Sequence, residues 1–332
     1  MHGFMLNRAY FEPGAAHFEV ERIGLQASAP LSDDVTALVE WYYHYWAPSN
    51  QLWLESAYVD YKDKAGGRLR VGRGRNFAFG ITPTGGMRKT TEYGLVSEAM
   101  TMDRITGVQY HKAEKSGWSW DAAVYNGFNL GSRPVMLVPA VRSGNLHLCD
   151  RENASRDVLE VSARVAKKVI PSLEVGLSAR GGKLSPSDVS FLQTNFNPAW
   201  TSRTKMRYGL DGIYRKGEWI ANGELYLAKT GDLDHMAYAV LGGYEPKSPN
   251  AVKAYVRYGV SDLDLKVADV SQANLTKELT FDQEQWMFSL VQPVRPGVWV
   301  ELAYIINDQD PLVTGVSVPK NDVGFVELAS MF

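Results

Sequence analysis

The sequence predicts an all-β protein: a transmembrane antiparallel up-and-down β-barrel of about sixteen strands, forming a single domain over residues 1–332. Three observations predict it. Apolar and polar residues alternate with a period of two along most of the chain. The apolar face of these segments is rich in aromatic residues, and the connections alternate between short and long. Hydrophobic residues make up 45% of the chain, which excludes intrinsic disorder.

The alternation is clearest in residues 205–214, KMRYGLDGIY. Met206, Tyr208 and Leu210 fall on one face, whereas Lys205, Arg207 and Asp211 fall on the other. Short turns join this segment to three further alternating segments, which predicts an up-and-down meander. The full set of predicted strands is 4–11, 17–29, 34–46, 52–62, 67–76, 103–114, 116–127, 157–168, 171–181, 203–215, 217–229, 233–245, 250–260, 279–292, 297–307 and 321–332.

Alternation alone does not say which face meets water, because a soluble β-sandwich has the same pattern with the apolar face inside. Two residue classes favour a barrel with its apolar face outside. Aromatic residues lie near strand ends, as in the girdles of a membrane barrel: Trp41, Tyr43, Trp118, Trp120, Tyr208, Trp219, Tyr244, Tyr258 and Trp286. Charged residues lie within strands on the polar face, for example Arg22, Glu40, Asp121, Arg164, Glu174, Arg180, Glu224 and Glu301. A soluble sandwich or lectin-like domain remains the alternative.

The lengths of the connections indicate which end of each strand carries a loop. Residues 28–34, 62–67 and 168–172 form short connections, whereas 77–102, 128–156, 181–202, 261–278 and 308–320 form long ones. Short periplasmic turns and long external loops are typical of bacterial outer-membrane barrels. Residues 128–156 are therefore predicted to be a long external loop.

Several function classes are disfavoured by composition. A net charge of -2 does not suit a protein that holds nucleic acid by bulk charge. The single cysteine, Cys149, excludes an intramolecular disulfide and a thiolate-cluster metal site. No histidine has metal-site spacing and no catalytic or cofactor motif stands out, so we expect no enzyme activity, cofactor or metal. Residues 1–10 contain no secretory signal, so export requires a signal that has been removed or is not included.

Several segments resemble the phosphate-selective porin O/P family of bacterial outer-membrane porins. They are FEVERIGLQASAPLSDDVTALVEW at 18–41, LESAYVDYKDKAGGRLRVGRGR at 54–75 and RITGVQYHKAEKSGWSWDAAVYNG at 104–127, and the chain closes on Phe332 as barrels of this kind do. The resemblance implies a sixteen-stranded, usually trimeric diffusion pore. It also implies that residues 76–102 fold inward as a constriction loop.

Basic residues concentrate around this loop. Arg68, Arg70, Arg73 and Arg75 precede it, Arg88 and Lys89 lie within it, and Arg207 and Arg257 lie on other strands. Guanidiniums bind anions in bidentate fashion, and a ring of Arg or Lys favours anions in a pore. Arginines on a lumen wall also pair with facing carboxylates, which would leave the pore weakly selective. We predict that these eight residues line the pore.

The predicted function is passive diffusion of ions and small hydrophilic or anionic solutes through a homotrimer in the outer-membrane lipid. A barrel can also act as a sleeve for a partner protein, such as a periplasmic cytochrome, and the sequence leaves this alternative open. It also leaves open which solutes pass, how selective the pore is and whether the lumen is empty.

Overall fold

A computed structural model describes residues 2–12, 15–44, 52–81, 89–90, 92–101, 104–134, 145–318 and 321–332. These residues form sixteen strands: β1 (His2–Glu12), β2 (Ala15–Pro30), β3 (Val35–His44), β4 (Leu52–Lys62), β5 (Arg68–Arg75), β6 (Arg104–Ala113), β7 (Trp118–Pro134), β8 (Asn145–Ile170), β9 (Leu173–Lys183), β10 (Thr204–Lys216), β11 (Trp219–Thr230), β12 (Leu233–Tyr244), β13 (Lys253–Leu263), β14 (Phe281–Arg295), β15 (Val298–Pro311) and β16 (Val323–Met331).

The sheet closes on itself. Each strand pairs with its neighbours in the chain, and β1 pairs antiparallel with β16, so the described residues form one closed barrel. The seam runs from Phe4 opposite Met331 to Phe11 opposite Gly324. Beyond it, the backbones of Gly3 and Phe332 exchange two hydrogen bonds, with N–O distances of 2.6 and 2.8 Å. The predicted sixteen-stranded up-and-down barrel is confirmed.

The two ends of the barrel differ in their connections. At one end, here the turn end, strands are joined by residues such as 171–172, 217–218 and 296–297. At the other, here the loop end, the connections include 76–103, 184–203, 264–280 and 312–322. This alternation matches the predicted arrangement of short turns and long loops.

The side chains of the strands follow the predicted orientation. On β10, Lys205, Arg207 and Asp211 are buried within the barrel, whereas Tyr208 and Leu210 are exposed on its outer surface. The same pattern holds on β14, where Met287 is buried between the exposed Trp286 and Phe288. Charge points inward and apolar surface points outward, which is the reverse of a soluble sandwich.

Exposed aromatic residues form two belts on the outer surface. Near the turn end, Trp118 stacks on Trp120 with 5.7 Å between ring centroids, and Trp219 packs on Tyr244 at 5.0 Å. Nearer the loop end, Trp286 packs against Tyr258 at 4.5 Å. Aromatic side chains at both interfaces are expected of a barrel that crosses a bilayer, because their rings are amphipathic.

One α-helix, α1 (Pro186–Asn195), lies at the loop end and was missed by the strand pattern. Ser185 caps it by accepting a hydrogen bond from the Asp188 backbone N–H, and Pro186 occupies its first turn. Its Leu192 packs with the loops at 264–280 in an apolar cluster that also includes Leu184 and Phe196. No helix in the described part of the chain is long and apolar enough to cross a membrane.

Much of the range 128–156, predicted to be a long loop, is strand. β7 continues to Pro134 and β8 begins at Asn145, and their ends pair from Gly127 opposite Ser155 to Pro134 opposite Asn145. Four irregularities interrupt this ladder. A strand segment that extends beyond the lipid-facing part of the barrel needs no apolar face. Charged stretches such as 150–152 therefore break the alternation by which a strand is recognised in the sequence.

Candidate functional site: the lumen and its turn-end vestibule

The connection between β5 and β6, called here the β5–β6 loop (residues 76–103), contacts inward-facing side chains across the barrel. Phe79, Leu95 and Met100 pack with Tyr226 of β11 and Ala237 of β12 in a fully buried apolar cluster. A π-helical turn at Ser97–Thr101 carries the last part of this surface.

Arg257 of β13 binds the middle of the loop. Its Nη1 donates to the backbone oxygens of Glu92 at 2.8 Å and Tyr93 at 3.0 Å, and to Thr90 Oγ1 at 3.1 Å. Gly94 follows with φ +87°, a conformation that favours glycine, and a Cβ there would lie 2.4 Å from Cζ of Arg257. The backbone therefore approaches the guanidinium as closely as a glycine allows.

The same stretch of loop is held from the other side of the barrel. Glu92 forms an ion pair with Arg8 of β1, and Arg8 also pairs with the fully buried Glu327 of β16. Arg75 Nη2 of β5 donates to Tyr93 Oη at 3.0 Å. Groups on β1, β5 and β13 thus converge on Thr90, Glu92 and Tyr93, so these residues of the loop bridge the lumen.

The structure gives different surroundings to the eight residues predicted to line the pore. Arg257 and Arg75 bind the loop, and Arg207 Nη1 donates to the carbonyl of Met100 at 3.1 Å. Lys89 Nζ lies 2.9 Å from Oε1 of Glu245. Arg88 lies outside the described residues.

The remaining three arginines lie on β5. Arg70 forms a bidentate pair with Asp60, at 2.8 and 2.9 Å, and stacks 3.5 Å from the ring centroid of Tyr58. Arg68 lies over Phe77 at 5.2 Å. Arg73 Nε donates to the carbonyl of Leu54 at 3.1 Å in an exposed contact.

Strict alternation would place Arg70 and Arg75 on opposite faces of β5. Both nevertheless contact groups on the inner side of the barrel, Asp60 and Tyr93 respectively. Gly72 lies between them with φ +127°, and a Cβ there would come within 2.3 Å of the carbonyl oxygen of Ala57. The ladders of β5 with β4 and β6 show no register shift at Gly72, and Arg75 is the last residue of the strand.

Buried charge networks that the sequence did not predict stabilise the wall on the β8–β10 side. Glu160 accepts hydrogen bonds from Arg180 Nε at 2.9 Å and Lys205 Nζ at 2.8 Å, and all three side chains are almost completely buried. Arg164 forms a bidentate pair with Asp211, at 2.6 and 3.0 Å. Lys205 looked isolated in the sequence because its partner lies 45 residues away in the chain.

A cavity of about 1090 Å³, called here the vestibule, opens at the turn end below the β5–β6 loop. Its lining has two parts. Charged residues come from β3, β5, β13, β14 and β15 and from the loops: Glu40, Arg75, Lys89, Glu245, Lys253, Arg295 and Glu301. Apolar and aromatic residues form much of the remainder, among them Phe4, Leu6, Tyr255, Val291 and Trp299.

The acidic residues of the vestibule are bound to protein groups. Glu40 accepts from Tyr42 Oη at 3.0 Å and Ser56 Oγ at 2.9 Å. Glu301 accepts from Ser289 Oγ at 2.7 Å. Glu245 accepts from Tyr255 Oη at 2.9 Å and pairs with Lys89.

Two basic residues of the vestibule differ in this respect. Within the described part of the chain, neither Lys253 nor Arg295 forms an ion pair or a side-chain hydrogen bond. Their charges are therefore available to a solute, whereas the vestibule carboxylates are engaged. No local sequence pattern marks this difference, because it depends on contacts between distant parts of the chain.

Glu245 lies just beyond β12 and its titration is perturbed. Burial raises the pKa of Glu245, but the hydrogen bonds from Lys89 and Tyr255 outweigh burial and hold the pKa below its usual value. The pair is therefore ionised at neutral pH, and the charge of Lys89 is balanced there.

No group of three or more His, Cys, Asp or Glu side chains among the described residues is arranged to hold a metal ion. Among the described histidines, His111 Nδ1 forms a hydrogen bond of 2.6 Å with Asp121 Oδ1 in the lumen. Some of the described lumen carboxylates pair with arginine or lysine, and others, such as Glu40 and Glu301, accept hydrogen bonds from hydroxyl groups. The chemistry of the lumen is that of fixed charges.

The fold is that of bacterial outer-membrane porins. The chain is similar to the outer membrane channel DcaP of Acinetobacter baumannii, with a TM-score of 0.69, 12% sequence identity, and coverage of 100% of this chain and 96% of that one. It is also similar to an anion-selective porin from Comamonas acidovorans, with a TM-score of 0.62, 14% sequence identity, and coverage of 100% of this chain and 98% of that one. A third similar structure is OmpT of Vibrio cholerae, an outer membrane protein in its trimer form. Its TM-score is 0.58 and its sequence identity 12%, with 100% of this chain and 98% of that one covered.

Sequence comparisons give no such match. No family model matches the chain, and no curated protein is detectably similar in sequence. The similarity to porins is therefore one of fold, and membership of the phosphate-selective O/P family stays a prediction.

Proposed function

We propose that the protein is an outer-membrane porin that lets ions and small hydrophilic solutes diffuse passively. The observation that supports this most strongly is the closed sixteen-stranded barrel with apolar side chains outside and charged side chains inside. Such a barrel matches a bilayer on its outer surface and water in its bore. In this proposal the turn end faces the periplasm, the long loops face outward, and the protein acts without catalysis.

In this proposal the β5–β6 loop narrows the bore. Contacts from Arg8, Arg75 and Arg257 support this role, because they hold Glu92 and Tyr93 between different walls of the barrel. Most of the arginines that the sequence assigned to the pore bind the loop or a carboxylate. Their contribution to selectivity is therefore smaller than a row of free guanidiniums would provide.

We also propose that the pore prefers anions. The support is the charge of the vestibule. Within the described residues, Lys253 and Arg295 pair with no carboxylate, whereas Glu40, Glu245 and Glu301 are bound to protein groups. The anion-selective porin of Comamonas acidovorans has the same fold, which is consistent with this preference. Specific phosphate transport has no comparable support.

A homotrimer is part of the proposal, since the Vibrio cholerae protein with this fold is described in a trimer form. The sleeve for a partner protein, such as a cytochrome, is not favoured. Glu92 and Tyr93 contact both sides of the barrel, so a threaded protein would have to displace the loop and break the Arg257 contacts.

Conductance in planar bilayers under a salt gradient tests the proposal. We expect discrete channel steps and a reversal potential whose sign reports anion preference. Lys253→Glu should move the reversal potential toward cations, whereas Lys277→Glu, at an exposed position of the loop end, serves as the matched control. Complete absence of steps from folded protein would contradict the porin function, and a cation-selective wild type would contradict the preference.

A further inference from the structure

The inner wall of the vestibule contains an apolar surface that a water-filled bore does not need. Tyr255, Val291 and Trp299 line the cavity. Tyr255 and Val291 belong to a buried apolar cluster with Leu241 and Ile220, and Trp299 packs against it. Phe4 and Leu6 of β1 continue the apolar lining on the other side of Trp299. The interior of a membrane barrel is ordinarily polar, so this surface calls for a ligand or a structural reason.

Lys253 and Arg295, which form no ion pair among the described residues, border this apolar surface. Lys253 is opposite Val291, which in turn is opposite Glu301 on β15. Trp299 lies two residues from Glu301, so the α-carbons of Lys253 and Trp299 are separated by roughly 10–12 Å, two strand spacings and a short step along the strand. Both side chains line the same cavity. Arg295 stands at its rim, on the bulge next to Pro293.

Charge and apolar surface together define a class of solute. An apolar body placed on Trp299 and Phe4, which line the cavity and are only partly buried, removes aromatic surface from water. A carboxylate a few bonds away then reaches Lys253, whose ammonium lacks a partner among the described residues. A cation of the same shape would be repelled by this ammonium. A small anion without the apolar body would gain only the charge contact.

We propose that the vestibule binds amphipathic monoanions, in which an aromatic or aliphatic body carries a single carboxylate. The site goes beyond the charge preference by naming the solute class, and its transport role rests on the proposed porin function. Binding itself does not require conduction, so the two proposals can fail separately.

The test compares three probes: 3-phenylpropionate, propionate and 3-phenylpropylamine. Each is added at the turn-end side of protein in planar bilayers, and binding to the detergent-solubilised protein is measured by calorimetry. We expect 3-phenylpropionate to reduce the chloride current and to bind, at concentrations at which the other two probes do neither.

The variants assign the effect to the site. Lys253→Gln should raise the half-blocking concentration of 3-phenylpropionate roughly 3- to 10-fold, a modest factor because the ion contact is partly solvated. Lys277→Gln should leave it unchanged. Trp299→Ser should also weaken block, whereas Trp219→Ser on the outer surface should not. If Trp299→Ser fails to fold, as judged by heat-modifiable migration, the Lys253→Gln and Arg295→Gln double variant decides.

The outcomes separate the two proposals. A channel that conducts salt but responds equally to all three probes, or is blocked equally well after Lys253 and Arg295 are replaced, overturns the site and leaves the porin function intact. The other outcome is folded protein that gives no channel but binds 3-phenylpropionate selectively in calorimetry, with weaker binding in Lys253→Gln. This result overturns the porin function and supports the site.

Discussion

The guanidinium of Arg257 lies against the backbone of Gly94, in space that any larger side chain at position 94 would need. From this position it donates to the carbonyls of Glu92 and Tyr93. The contact fixes the β5–β6 loop to β13 through backbone atoms, so it depends on the conformation of the loop more than on its side chains.

Replacing Arg257 should release the loop. Arg257→Gln removes donors from Thr90 and from two buried carbonyls, and unsatisfied buried groups cost about 1–3 kcal/mol each. We expect noisier open-channel currents and a lower unfolding midpoint in urea. Lys216→Gln, at the exposed end of β10, is the control. Quiet currents of unchanged size in Arg257→Gln would show that the loop is held by other contacts.

Gly94→Ala should act on the same contact from the other side. The new Cβ would lie 2.4 Å from Cζ of Arg257, and φ +87° disfavours alanine. We expect a loss of stability of at least about 1 kcal/mol. The double variant with Arg257→Gln should lose less stability than the sum of the two single variants, because the clash between the new Cβ and the guanidinium is gone. Strict additivity in a urea unfolding cycle would argue against the contact.

Glu245 should make the selectivity depend on acid pH. Its lowered pKa means that its ion pair with Lys89 contributes stability above the usual carboxyl pKa, and that this contribution is lost as pH falls through the lower folded value. Neutralising Glu245 leaves Lys89 unbalanced and should strengthen anion preference. Reversal potentials measured from neutral pH down to about pH 3 test this.

Glu245→Gln provides the comparison. It should show the stronger anion preference already at neutral pH and a smaller change on acidification than the wild type. Other lumen carboxylates titrate in both proteins, so the difference between the two pH curves isolates Glu245. Identical curves would contradict the assignment.

Glu160 should be more important for stability than exposed acids. Glu160→Gln leaves Arg180 and Lys205 buried without a counter-charge, which typically costs about 3–5 kcal/mol. Asp234→Asn breaks the exposed pair with Lys229 and should cost less than about 1 kcal/mol. Urea unfolding in lipid vesicles measures both, and equal losses would show that the buried network adds nothing beyond a surface pair.

The outer surface can be tested with a charge at the middle of a strand. Leu225 is exposed at the centre of β11, and Leu225→Arg should destabilise a barrel in lipid by about 2–4 kcal/mol. Val169→Arg, near the turn end of β8, should cost about 0–1 kcal/mol. A harmless Leu225→Arg in vesicles would mean that this surface does not face lipid.

The strands were predictable from the sequence, because each repeats one local rule. On β10 the alternation of Lys205, Met206, Arg207 and Tyr208 is visible without any knowledge of partners. Closure was predictable from the number of strands. The helix α1 was not predictable in the same way, because its ten residues also read as a loop. The capping sequence Ser185-Pro186-Ser187-Asp188 was the available signal for a helix start.

The lumen was less predictable, because its contacts join distant parts of the chain. The inward position of Arg207 and Arg257 followed from alternation, but their acceptors are backbone carbonyls of the β5–β6 loop, which carry no sequence signature. The same limit applies to Lys253. Its lack of a counter-charge depends on what its neighbours across the barrel bind, and no local pattern encodes that.

The seam between β1 and β16 has a consequence for folding. The first strand finds its second partner only in the last strand of the barrel, so a partly formed sheet has two open edges until β16 pairs with β1. Such edges are prone to aggregation, and a variant without β16 would keep both. Pairing of β1 with β16 therefore removes both aggregation-prone edges in one step.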